Sequence, residues 1–162
     1  MAADLTGHCT CGEVSYRLSA DLLITHACHC TWCQRESGAA FGLNGLIETR
    51  HLEVTGGAPV ARELPSNSGK GQRAMACPDC GVVLWAHYHG MGPRFAFVKL
   101  GTLDDTSAAR PDVHIFTSTK QPWLALDGDI PVFEEYYRRS EVWRPESYAR
   151  FEAERARTDG PA

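Results

Sequence analysis

The chain has no run of about 18 consecutive apolar residues. Met1–Thr6 carries neither a basic segment nor an apolar one, so neither a membrane span nor an export signal is expected. Internal repeats and long linkers are also missing, which leaves one domain as the reading for 162 residues. Basic charge is not in excess: the formal net charge is -4 and the sequence pI about 5.9, and neither favours nucleic acid or a membrane surface as the partner. Cysteine is too scarce for a disulfide scaffold. The count is seven, an odd number, and clustered thiols in a reducing compartment bind metal or do chemistry more often than they pair. A cytoplasmic protein with reduced thiols is the expectation.

What is present is ordinary globular material, with 43% hydrophobic and 22% charged residues. Gly and Pro fall at short intervals and cut the chain into brief segments, which predicts a mainly β fold of antiparallel strands. Candidate strands are 13–18, 22–29, 39–47, 60–64, 72–76, 82–88, 95–100 and 113–117, several alternating apolar and polar residues as in Val14-Ser15-Tyr16-Arg17-Leu18. The polar stretch Pro65 to Gly71 reads as an exposed loop. Pro145 to Arg157 contains good helix formers behind a proline suited to a first turn, which predicts a short C-terminal helix at the periphery. The residues after it, 158–162, are expected to fray. The main unit is placed at 1–140, with 141–162 a helical tail of the same unit.

The cysteines fall into three groups: Cys9-Thr10-Cys11, then Cys28-His29-Cys30-Thr31-Trp32-Cys33, then Cys77-Pro78-Asp79-Cys80-Gly81. A C-x-C pair on an extended strand presents two sulfurs to one side, and a C-x-x-C pair followed by glycine does the same from a tight turn. Cys9, Cys11, Cys77 and Cys80 thus supply the four tetrahedral ligands of a closed structural zinc site. Cys28, Cys30 and Cys33 supply three, which leaves one position open for an exogenous thiolate, water or carbonyl oxygen. Two alternatives stand beside that reading: His26, two residues before Cys28, closes the shell, or the three cysteines carry little metal.

These groups resemble the glutathione-dependent formaldehyde-activating enzyme family, also called the centromere-protein-V-type domain. The likeness runs from Gly7-His8-Cys9-Thr10-Cys11-Gly12 through the middle cysteines with Gln34, Ser37 and Gly38 to Arg73 and Cys77–Gly81. It continues in Gly101–Asp105, Pro111–Phe116 and Lys120-Gln121-Pro122-Trp123. The resemblance implies an Mss4-like β-tent with one structural zinc and a second zinc on the middle cysteines. It also implies a carbon–sulfur lyase reaction, in which glutathione and formaldehyde join to give S-hydroxymethylglutathione. A zinc on three thiolates is a weak Lewis acid, so capture and positioning of the incoming thiol are the roles expected of it. Two departures bear on substrate. Gln34 stands where many members carry arginine, and Ser66-Asn67-Ser68-Gly69-Lys70 is a looser version of the family's serine-rich segment.

Further candidates come from the remaining polar residues. His114, in Val113-His114-Ile115-Phe116, is a candidate proton carrier facing the middle cysteines, or else a satisfied strand histidine. Lys120 and Trp123 are candidates for holding a carboxylate and covering a pocket, against plain roles in surface charge and packing, and Arg73 is a candidate for binding an anionic ligand, against offsetting negative charge on the thiolate cluster. His87 and His89 can share one side of a strand, but two histidines do not make a metal site. The rival to an enzyme is a non-catalytic thiol carrier or a zinc-stabilised protein-binding module, and an edge strand or the terminal helix offers a surface for a homodimer.

Overall fold

The computed structural model describes residues 4–126 and 128–158. Within them ten strands form two sheets. The smaller holds β1 (Leu5–His8), β2 (Ser15–Leu18) and β5 (Leu52–Gly56) in the order β1-β2-β5. The larger holds β3 (Ile24–Cys28), β4 (Gly42–Glu48), β6 (Val60–Leu64), β7 (Gln72–Ala76), β8 (Val83–Tyr88), β9 (Phe95–Lys99) and β10 (Val113–Ile115), in the order β10-β3-β4-β9-β8-β7-β6. Every pairing between named strands is antiparallel except β10 on β3, which is parallel. That exception to the all-antiparallel expectation follows from connectivity: β10 arrives after the long excursion from β9, and a parallel neighbour requires such a crossover.

The two faces of the large sheet bury different cores. On one, Ile47, Trp85, Ala96 and Val98 pack with Tyr16 and Leu18 of the small sheet, with Val14 just before it, and with Leu100. The fit is close: a Cβ on Gly45 would lie 2.7 Å from Leu22 and 2.8 Å from Leu100. The other face carries Ile24, Leu46 and Phe95 against Trp143 and Phe151.

Two strands and one helix lie outside the sequence expectation. β1 and β5 are short and half exposed, so their apolar content is slight. Helix α1 (Thr31–Ser37) buries only Cys33 and has no apolar period to reveal it. The C-terminal helix is where the sequence puts it, with α2 (Arg139–Val142) before it and α3 over Pro145–Ala156. It is not peripheral. Phe151 is buried, 4.7 Å from the Phe95 ring and 5.1 Å from that of Trp143, and burying such a ring stabilises the fold by roughly 2 kcal/mol. Arg150 forks onto the fully buried Glu48 carboxylate, Nη2 to Oε2 at 2.6 Å and Nε to Oε1 at 3.1 Å. Of the segment expected to fray, residues 159–162 lie outside the described residues.

Candidate functional site

The four-cysteine set assembles from two similar turns. Cys9 N–H donates to Val14 O and Gly12 N–H to Cys9 O in the β1–β2 connection. Cys77 N–H donates to Val82 O and Gly81 N–H to Cys77 O in the β7–β8 connection. Gly12 (φ 82°) and Gly81 (φ 75°) supply the left-handed residue that each turn requires. The first pair therefore sits on a turn rather than on the extended strand that the C-x-C spacing suggested. Cys9 and Cys11 sulfurs are 3.5 Å apart and those of Cys11 and Cys77 3.6 Å. The edge of a tetrahedral zinc–sulfur site is about 3.8 Å, so the donor set fits a soft divalent ion. The Val82 backbone N–H, with that of Cys11, holds the Cys80 thiol down at about 6. A metal here links the small sheet to the β7–β8 hairpin of the large one.

The second set lies at the end of β3. Cys28 is the last residue of the strand, Cys30 is the N-cap of α1, and Cys33 is in its first turn. The Cys33 backbone N–H donates to Cys30 Sγ at 3.4 Å, and Cys28 and Cys30 sulfurs are 3.5 Å apart. All three are buried, and their sulfurs lie within 4.8 Å of one another. Hydrogen bonds from Cys28 and then Cys33 hold the Cys30 thiol down, while the same interactions push Cys28 up. Cys30 is thus the thiol of the three that ionises most readily, and it sits at the electropositive start of a helix. Three convergent soft donors fit a thiolate-bound metal with one position left for a ligand.

These sulfurs form the floor of a cavity of about 430 Å³. Its apolar wall includes Trp32, Tyr88, Phe97, Phe116 and Tyr136. Asn44, Ser66, Asn67, Ser68, Lys70 and Arg139 supply polar groups. The loop 65–71 is exposed at 65 and 67–70, as expected, while Ser66 is buried and its hydroxyl accepts the Gly71 N–H at 3.1 Å, with Ser66, Asn67 and Ser68 at the cavity. Phe116 holds φ 55°, the only positive value at a non-glycine among the described residues, and strain of this kind collects at binding sites.

His26 lines the same cavity, but its Nε2 lies 2.5 Å from the Tyr137 hydroxyl, which also accepts the Trp143 indole N–H at 2.7 Å. It is not among the clustered ligand atoms. Burial first, and the nearby Arg139 charge second, press its imidazole down to about 3.

The four other pocket candidates lie elsewhere. His114 pairs with Ala27 across the β10–β3 ladder, on the face opposite Cys28, and its Nδ1 is 2.9 Å from His29 Nε2. Arg73 points to the other side of β7 from Gln72, which does line the cavity, and its Nε donates to Glu63 at 2.8 Å. Lys120 Nζ donates to the Gln121 and Leu124 carbonyls, at 2.9 and 2.6 Å. Trp123 is 71% exposed. Gln34, which stands where many family members carry arginine, braces the same loop, donating to His29 O at 2.6 Å and Thr119 O at 2.9 Å. Lys70 and Arg139 are the cavity cations that the sequence did not single out. Lys70 carried a signal, its place in the serine-rich segment, and Arg139 carried none.

A β protein with one closed and one open thiolate site is the class that this fold and these side chains define. Residues 4–119 match the family model described as glutathione-dependent formaldehyde-activating enzyme, and the chain belongs to that family. Curated relatives named "Putative glutathione-dependent formaldehyde-activating enzyme" include one from Emericella nidulans, 33% identical over 48% of this chain and 39% of the relative. Others are from Talaromyces marneffei, 29% identical over 69% of this chain and 60% of the relative, and Phaeosphaeria nodorum, 28% identical over 69% and 59%. The aligned region thus spans about 39% to 60% of the length of these relatives. A crystal structure of a Rhodobacter sphaeroides protein superimposes with a TM-score of 0.49 at 18% identity, covering 79% of this chain and 99% of that one.

Proposed function

We propose that this chain is a zinc-dependent carbon–sulfur lyase that joins a thiol, glutathione, to a small electrophile, formaldehyde, in the cavity above Cys28, Cys30 and Cys33. The observation that carries this reading is three buried, converging cysteine sulfurs at the floor of a cavity with room for a peptide-sized thiol. Cys28, Cys30 and Cys33 would hold a zinc ion there, which would supply a free position for the incoming sulfur and lower its pKa. Lys70 and Arg139 offer cationic partners for the carboxylates of the thiol, and Ser66, Asn67 and Ser68 offer hydrogen bonds to its amide backbone. Trp32 and Tyr136 line the aromatic wall and restrict water around the reacting sulfur. A sulfur–carbon bond forms as the carbonyl π bond breaks. The electron pair moves to oxygen, which takes a proton, and the product is a hydroxymethyl thioether. The four-cysteine site holds a second zinc with a structural role, and the reducing cytoplasm supplies both the free thiols and the glutathione.

The test is metal content and glutathione binding of the native chain against a Cys28→Ser, Cys30→Ser, Cys33→Ser variant, both purified under reducing conditions. Two zinc ions per native chain and one in the variant, with glutathione binding lost, are expected. One ion in both forms with unchanged glutathione binding would sink the proposal. Turnover is then read as product formation from glutathione and formaldehyde above the uncatalysed rate, which separates an enzyme from a thiol carrier.

A further inference from the structure

Three cysteines hold one ion only if their sulfurs converge, and here they come from two elements. Cys28 ends β3, while Cys30 caps α1 and Cys33 sits in its first turn. The donor set is therefore only as good as the docking of α1 on the large sheet. That docking has little apolar support: a helix of seven residues is not stable on its own, and α1 buries only Cys33. The tolerance is also small. Gly42 stands opposite Cys28 in the β3–β4 ladder, and a Cβ on it would lie 3.1 Å from Cys33 Cβ and 3.5 Å from the Cys33 sulfur.

Glu36 supplies a polar tie in place of an apolar one. It follows Cys33 by three residues, which puts the two on one face of α1. Its side chain and that of Lys99, the last residue of β9, are 16% and 17% exposed, and Lys99 Nζ lies 3.1 Å from Glu36 Oε1. Lys99 Nζ also donates to Asn44 Oδ1 on β4 at 3.1 Å. Gln72, the first residue of β7, donates from Nε2 to Glu36 Oε2 at 3.2 Å. One carboxylate thus joins α1 to β9 and β7 directly and to β4 through Lys99.

This arrangement is a poor one for stability alone. Gln72 is buried and its Oε1 has no hydrogen-bond partner, while Lys99 meets Glu36 Oε1 by charge and not by a directed hydrogen bond. A buried acceptor without a donor costs free energy, and a buried ion pair gains little over apolar side chains of the same volume. What the tie adds is a fixed distance and direction between the ligand-bearing helix and the sheet.

We propose that Glu36 is a positioning residue for the three-cysteine site: held by Lys99 and Gln72, it sets α1 against the sheet so that Cys30 and Cys33 meet Cys28 around one metal ion. The proposal rests on the reading that these cysteines bind zinc. Glu36 acts through the helix and does no chemistry of its own.

The test loads each chain with cobalt(II) in place of zinc. Sulfur-to-cobalt absorption is read after subtracting that of the Cys28→Ser, Cys30→Ser, Cys33→Ser variant, which keeps the four-cysteine site alone. Competition with a chromophoric chelator gives the affinity of the three-cysteine site. Glu36→Ala is expected to weaken binding there about tenfold to a hundredfold and to alter the spectrum, with Glu36→Gln, which still accepts from Gln72, in between. Because Glu36→Ala strands the Lys99 charge, Glu36→Ala/Lys99→Met is measured beside it, and should regain thermal stability without regaining metal affinity. A role in folding alone would lower the melting temperature of Glu36→Ala and leave the affinity and spectrum at native values, which would overturn the proposal. Recovery of affinity together with stability in the double variant would overturn it as well. A native chain that binds metal at the four-cysteine site alone would sink the zinc reading of the middle cysteines and this proposal with it. Two metals in the native chain with undiminished affinity in Glu36→Ala would sink the positioning role and leave that reading standing.

Discussion

Cys30 Sγ accepts the backbone N–H of Cys33 at 3.4 Å, so one thiol both caps helix α1 and serves as the central donor of the three-cysteine set. The two duties can be separated. Serine is a good N-cap but a poor zinc ligand, and alanine is neither. Cys30→Ser is expected to lose the second metal with α1 intact, and Cys30→Ala to lose both. In metal-stripped protein, urea denaturation should show the serine variant more stable than the alanine variant by about 1 kcal/mol. Equal stabilities would mean that the sulfur contributes nothing as a cap.

Arg150 meets the Glu48 carboxylate through two hydrogen bonds, and Glu48 is fully buried. Removing a partner from a buried ion pair leaves an uncompensated charge, at a cost of roughly 3–5 kcal/mol. Arg150→Ala should therefore destabilise the chain by about that amount, measured by chemical denaturation. Adding Glu48→Gln in the same chain should recover part of the loss by removing the stranded charge. If Arg150→Ala costs no more than a surface substitution, α3 is not anchored through this pair.

Eight of the ten strands were legible because their apolar alternation is local, and α3 was legible because Pro145 and the Tyr148–Phe151 spacing mark its start and one side. The metal sets were legible because ligand spacing is itself a local property. Helix α1 was hidden because its seven residues bury only Cys33, so no apolar period marks it. The pocket residues failed for a different reason. Gln72 and Arg73 are adjacent, as are His114 and Ile115, and only one of each pair faces the cysteine cavity. Which one depends on strand register, and a shift of one residue exchanges the faces. Arg139 reaches the cavity from beyond β10 through tertiary contact alone.

The four-cysteine site joins the β1–β2 and β7–β8 connections, so loss of its metal should be a folding event and not a local one. Cys77→Ser is expected to bind one zinc fewer per chain and to unfold on the order of 10 °C or more below the native protein. The triple variant of the middle cysteines should lose the other zinc with a much smaller shift. Similar melting temperatures for the two variants would contradict the division into structural and reactive sites.

The His26 imidazole gives stability a pH dependence whose sign is fixed by its environment. Its pKa is pressed from 6.5 to about 3 by burial and then by Arg139, so the folded chain resists a proton that the unfolded chain accepts. The contribution of neutral His26 is complete above pH 6.5 and is lost as pH falls from there toward 3. Over that window the slope from this one group is at most about 1.4 kcal/mol per pH unit. Urea denaturation of zinc-loaded protein at pH 7.5 and pH 5.5 should show the native chain losing more stability than His26→Gln, which is weaker at pH 7.5 but flatter across the range. Acid also protonates the cysteine ligands, but that loss is common to both chains and cancels in the difference. Identical pH slopes would mean that His26 takes up its proton in the folded chain as readily as in the unfolded one. The Tyr137–Trp143 cage around it would then be an open environment rather than a sealed one.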